Sequence, residues 1–149
     1  MSLNKALDRV FGNPVLYVLV GTLLAITVAR IYVLLGGAVT LAYNGVYLHH
    51  LFYGVIIVVV VGILSFLFNE RAFRNEALKK VLALAFGFGV GLIIDESNLL
   101  ILTGQEYSLS YYYSPYNVAI EFTVVLLLVI GLVVSTVAQT LISRHRKKR

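Results

Sequence analysis

The sequence predicts an all-α, polytopic membrane protein: a four-transmembrane-helix bundle with both termini in the cytoplasm. Three observations predict it. Apolar residues make up 60% of the chain and charged ones 13%, with a mean hydropathy of +0.91, whereas a soluble domain carries about a quarter charged residues. The apolar residues gather into four runs, each near the roughly 20 residues that a helix needs to cross a hydrocarbon core. Eleven of the 12 Lys and Arg fall on one side of that alternation, as cytoplasmic flanks require. The expected surrounding is therefore the lipid bilayer of a cell membrane, and residues 1–149 are read as a single transmembrane domain.

The elements follow in order. Leu3, Ala6, Leu7, Val10 and Phe11 recur at helical spacing among Lys5, Asp8 and Arg9, which predicts an amphipathic segment over 1–13 at the cytoplasmic interface. Asn13 is placed to cap, and Pro14 to open, a first span over about 14–35. That run is too long for a signal-peptide core and no small-residue cleavage site follows it, so it is expected to remain as a helix. Further spans are expected over about 49–68, 81–103 and 118–142. Lys5 and Arg9 precede the first span, Arg71, Arg74, Lys79 and Lys80 lie between the second and third, and Arg144, Arg146, Lys147, Lys148 and Arg149 end the chain.

The connections on the other side, near 36–48 and 104–116, hold no Lys or Arg but seven of the ten tyrosines, an interfacial aromatic belt. With Gly36, Gly37, Asn44 and Gly45 in the first of them, they are expected to fold back on the membrane surface. No internal repeat is visible beyond two helical hairpins. The basic tail, 143–149, reads as a stop-transfer anchor to anionic lipid, with His145 a passenger in it. Nucleic acid is not expected as a partner, because the basic residues flank apolar runs and lack interleaved aromatics.

The absence of Cys, and of any Met beyond the first residue, excludes disulfides, thiolate ligands and thiol nucleophiles. Six ionisable residues nevertheless fall inside spans: Arg30, His49, His50, Asp95, Glu96 and Glu121. Such groups are costly in lipid, face the bundle interior and mark function. At about 1.5 Å per residue, Asp95 and Arg30 lie roughly 10 Å below the outer ends of their spans, with Glu121 and the histidines within about one turn of the same surface. Four helices are thus expected to converge on one site in the outer half of the bundle.

Small residues support the facing. His50, Gly54, Val58 and Gly62 repeat every four residues on span two, as do Ala83, Gly87, Gly91 and Asp95 on span three, and a second ridge carries Ala85, Gly89 and Glu96. Close helix contacts in lipid need such ridges. On span four, Asn117, Glu121, Leu128, Ser135 and Gln139 form a polar stripe that turns Glu121 inward. His49 points about 100° away from His50, beside Tyr53. The inner half is thin in polar groups, with Thr22, Ser65, Ser135 and Gln139 the main ones and none of them charged, and no second polar cluster for substrate recognition is visible.

Three carboxylates against one guanidinium leave a formal −2 that lipid cannot solvate. A divalent cation or two protons would neutralise it. Imidazole with carboxylate is the ligand set of the divalent transition metals Zn²⁺, Fe²⁺ and Mn²⁺, so the candidate metal ligands are His49, His50, Asp95, Glu96 and Glu121, with Arg30 as charge partner. A bound metal could activate water for hydrolysis of a lipid-like substrate. Two other functions fit: a proton or metal-ion transporter, whose pathway would need a homo-oligomer or a large rearrangement, and a structural or partner-binding membrane protein with a proton-sharing polar core.

At His49-His50-Leu51-Phe52-Tyr53-Gly54 and at Gly87-Phe88-Gly89-Val90-Gly91-Leu92-Ile93-Ile94-Asp95-Glu96, the chain resembles a family of small, uncharacterised prokaryotic integral membrane proteins. That family pairs an HHxxxG motif at one helix start with a GxGxG-xxx-DE motif on the next. The resemblance covers spans two and three, about a third of the chain. It implies a shared polar core of His49, His50, Asp95 and Glu96 and no particular activity. Arg30 and Glu121 rest on burial and charge alone.

Overall fold

The computed structural model describes residues 3–35, 41–43, 46–48, 50–67, 75–102 and 114–146. Its elements are α1 (Leu3–Phe11), α2 (Pro14–Leu34), β1 (Leu41–Tyr43), β2 (Val46–Leu48), α3 (His50–Leu67), α4 (Glu76–Leu102) and α5 (Pro115–Arg146). Four of the helices are long and apolar enough to cross a membrane, with mean hydropathy of 2.0 for α2, 2.5 for α3, 1.9 within α4 and 2.7 within α5. The chain is a multi-pass helical membrane protein.

Helix starts follow capping chemistry more closely than hydropathy. Asn13 Oδ1 accepts a hydrogen bond from Val15 N at 3.0 Å, with Pro14 at the first helical position, as the sequence predicts. Asn75 does the same for α4, accepting from Ala77 N at 3.0 Å and Leu78 N at 3.3 Å. This cap starts α4 at Glu76, ahead of the apolar run at 81, because the polar first turns satisfy their amides without entering lipid. The connection expected to fold back on the surface contains a short antiparallel hairpin, with Leu41 opposite Leu48, Ala42 opposite Tyr47 and Tyr43 opposite Val46. The Tyr-rich segment 104–113, the linker 68–74 and residues 147–149 lie outside the described residues.

Helix α4 is the axis of the bundle, with α2 on one side and α3 on the other. A Cβ on Gly87 would overlap the Val18 backbone, and one on Gly91 would come within 2.5 Å of Thr22 O and 2.7 Å of Ala25 Cβ. On the other side, a Cβ on Gly54 would meet Gly89 O at 2.6 Å. Backbone therefore touches backbone at both crossings, the close approach that small residues permit in lipid. Gly62, expected to extend the α3 ridge, meets nothing within 4 Å. Val61, seven residues beyond Gly54 and on the same face, is buried, so the α3 contact passes through Gly54, Val58 and Val61, and Gly62 lies about 80° off it.

Helix α5 is peripheral. No residue of its 118–142 stretch is buried, and Gln139, expected on an inward stripe, is exposed. A half-buried stripe through Val124, Leu128 and Leu132 faces the bundle, and polar side chains toward the two ends of α5 bond across to it.

Candidate functional site

Five of the six ionisable span residues meet in the half of the bundle next to the β-hairpin. Arg30 extends from α2, its side chain 15% exposed, and donates from Nε to Asp95 Oδ1 at 2.9 Å. Its Nη2 pairs with Glu121 Oε1 of α5. The second oxygen of Asp95 lies 2.9 Å from His50 Nε2, so this fully buried carboxylate joins a guanidinium on α2 to an imidazole on α3. Glu96, also fully buried, accepts from the backbone N–H of Leu51 at 3.0 Å. Its carboxylate thereby takes one of the unsatisfied amides in the first turn of α3, at the positive end of that helix. The same Oε2 is 3.3 Å from His50 Nδ1, which is buried and makes no hydrogen bond.

One branched chain results, running Glu121, Arg30, Asp95, His50 and Glu96 across four helices. Its direction follows from helix geometry, since adjacent residues on α4 are about 100° apart. Asp95 can therefore reach both α2 and α3, and Glu96 serves the start of α3. Each ring nitrogen of His50 faces a carboxylate oxygen. With a neutral ring the five side chains carry a formal −2; an added proton on the ring reduces this to −1, shared between two flanking carboxylates.

Of the candidate metal ligands, His50, Asp95, Glu96 and Glu121 are brought together with Arg30, and His49 lies outside the described residues. Among the described residues, no group of three or more His, Asp or Glu side chains is arranged to hold a metal ion. The oxygens that would coordinate one are turned to Arg30, His50 and the Leu51 amide.

A second polar cluster, not expected from the sequence, ties the opposite end of the bundle. Buried Asn13 donates from Nδ2 to Ser135 Oγ at 2.6 Å and to Thr136 Oγ1 at 3.1 Å. Arg9 of α1 donates to Thr140 Oγ1 at 2.7 Å. The three hydroxyls also donate to carbonyls of their own helix, so that their oxygens both donate and accept. A signal was present, since a capping Asn uses only its oxygen on the helix and retains an amide in need of acceptors. The partners could not be read, being more than 120 residues away.

The two clusters do not connect. Arg30 and Asn13 are 17 positions apart on α2, about 25 Å. Between them lies fully buried Thr22, whose hydroxyl is 3.0 Å from both Val18 O and Gly87 O. Its one proton is committed to the helix crossing.

No family model matches this chain, and neither a curated protein nor a solved structure matches it.

Proposed function

We propose that the chain is a cell-membrane protein, both termini cytoplasmic, built around a proton-sharing ionic centre in the outer half of the bundle. The carrying observation is His50 held between two buried carboxylates, 2.9 Å from Asp95 and 3.3 Å from Glu96. A neutral imidazole has one N–H and one lone pair, so one of the two facing carboxylates would then confront a lone pair. A ring protonated at both nitrogens puts a positive charge between the two carboxylates, and removes one of the charges that lipid cannot solvate. The centre fixes the mutual register of α2, α3, α4 and α5. Among the described residues, fully buried Thr22 and the glycine crossing lie between the centre and the opposite end of the bundle, which speaks against a through-path for protons or ions.

Nitrogen NMR of ¹⁵N-histidine protein in bilayers tests this, with His50 assigned by its disappearance in His50→Gln. Two protonated ring nitrogens at neutral pH are expected. One bare nitrogen would overturn the reading.

A second reading is favoured by the orphaned His50 Nδ1. A nitrogen lone pair and a carboxylate oxygen 3.3 Å apart match two neighbouring corners of a coordination sphere with bonds of about 2.0–2.2 Å. Zn²⁺, Fe²⁺ or Mn²⁺ bound there, with Asp95, Glu121 or His49 supplying the rest, would give a site able to act on a lipid-like substrate. Elemental analysis decides. Stoichiometric metal that vanishes in His50→Ala and Asp95→Asn would replace the proton-sharing reading; metal-free protein, stable in excess chelator, would sustain it.

A further inference from the structure

A cleft between α2, α3 and α4 opens at the basic end of the bundle, remote from the ionic centre. Toward the hairpin, α3 and α4 touch at Gly54 and Gly89. The cleft holds about 190 Å³ and is walled by Val18 of α2, Val61 of α3, and Leu82 and Phe86 of α4. That exceeds the cavity of about 150 Å³ that admits a benzene ring. It is large enough for a segment of acyl chain.

Two polar residues, Ser65 and Lys79, also line the cleft. The Ser65 hydroxyl is used within its own helix, donating to Val61 O at 2.8 Å. Lys79 is in the first turn of α4 and, among the described residues, its acid partner is Glu76, 3.8 Å away and 64% exposed, an exposed pair of the kind that binds weakly. The neighbouring Lys80 ammonium sits 5.3 Å above the Tyr17 ring, adding a second fixed positive charge beside Lys79 in sequence. An apolar slot inside a membrane-spanning bundle, with cations at the level where its polar first turn begins, is complementary to a molecule with an apolar chain and an anionic head.

We propose that this cleft binds one anionic glycerophospholipid, with part of an acyl chain between α3 and α4 and its phosphate on Lys79. The tail residues are not among those lining the cleft, and the looser attraction to anionic lipid expected of them rests on charge alone. Native mass spectrometry of the full chain, released from bilayer discs of equal phosphatidylglycerol and phosphatidylcholine, tests the assignment. One phosphatidylglycerol should be retained in preference to phosphatidylcholine. Lys79→Gln should lower that retention about five-fold, the effect of one basic residue on an anionic headgroup. Ala83→Phe and Val61→Phe, which fill the cleft from opposite walls, should abolish it, and Lys147→Gln with Lys148→Gln should leave it unchanged. Equal retention of the two lipids, undiminished retention in a folded cleft-filling variant, or loss confined to the tail variant would overturn the proposal. Should both cleft-filling variants fail to fold, the Lys79→Gln comparison still decides.

Discussion

Asp95 has two oxygens and two unlike partners, a guanidinium on α2 and an imidazole on α3, and neither partner can be removed without leaving charge uncompensated in a place without water. Breaking a buried ion pair from one side typically costs about 3–5 kcal/mol, whereas removing both charges together can be nearly neutral. Arg30→Gln should therefore lower thermal stability in detergent by an amount in that range. Adding Glu121→Gln to it should recover part of the loss, giving a double-mutant cycle with a clear coupling term. Strict additivity would mean that the Arg30–Glu121 contact contributes nothing. The sequence located these groups well, because charges within apolar runs are conspicuous and their depth follows from counting residues. Pairing was not legible. Which of two adjacent acids reaches α2 depends on the rotation of α4, and that is set by where Gly87 and Gly91 meet Val18 and Thr22.

At the scale of elements, the crossings of α4 with α2 and α3 depend on the absence of side chains at particular positions. Gly87→Ala should force the backbones of α2 and α4 apart, with a cost of about 1–3 kcal/mol typical of overpacking. Gly62→Ala, where nothing is in reach, should be neutral or stabilising by up to about 1 kcal/mol through helix propensity. Melting temperatures that fall equally for the two would show that Gly62 is itself in a packed face. The four-residue repeat identified the packed faces near Gly54 and Gly87, since periodicity reports which residues share a side of a helix. It does not report the crossing angle, and so gave no notice that the α3 contact passes through Val61 rather than Gly62 or that a cleft opens there. The hairpin escaped notice for a different reason. Three-residue strands are too short to show an alternation, and Val46, Tyr47 and Leu48 read equally well as interfacial residues.

For the whole molecule, α2, α3 and α4 form a unit packed by glycine, while α5 is clasped to it at two levels: by Glu121 on Arg30, and by Ser135 and Thr136 on Asn13. Asn13 also caps α2. Asn13→Ala should therefore cost more than the roughly 1 kcal/mol of a lost cap, and limited proteolysis should then release α5 sooner than in the parent; unchanged cleavage would show that α5 is held elsewhere. Orientation is testable with single cysteines at Ala42, in the hairpin, and Glu76, at the basic end. An impermeant thiol reagent on intact cells should label the first and reach the second only after lysis. The reverse pattern would invert the topology.

The bond between Arg30 and Asp95 spans 65 residues of chain, and this separation has a consequence during synthesis. At about 5–20 residues per second, the arginine of α2 leaves the ribosome roughly 3–13 s before its counter-charge exists. A guanidinium in an inserting helix is disfavoured, by about 2.5–3.5 kcal/mol at the centre and by less near an end, where Arg30 lies, and the mean hydropathy of 2.0 in α2 must carry it across during that interval. Nascent α2 is thus expected to wait in the insertion machinery or near the headgroups, and to settle to its final depth only when α4 arrives. The order in which the helices are made becomes part of how the charge is placed.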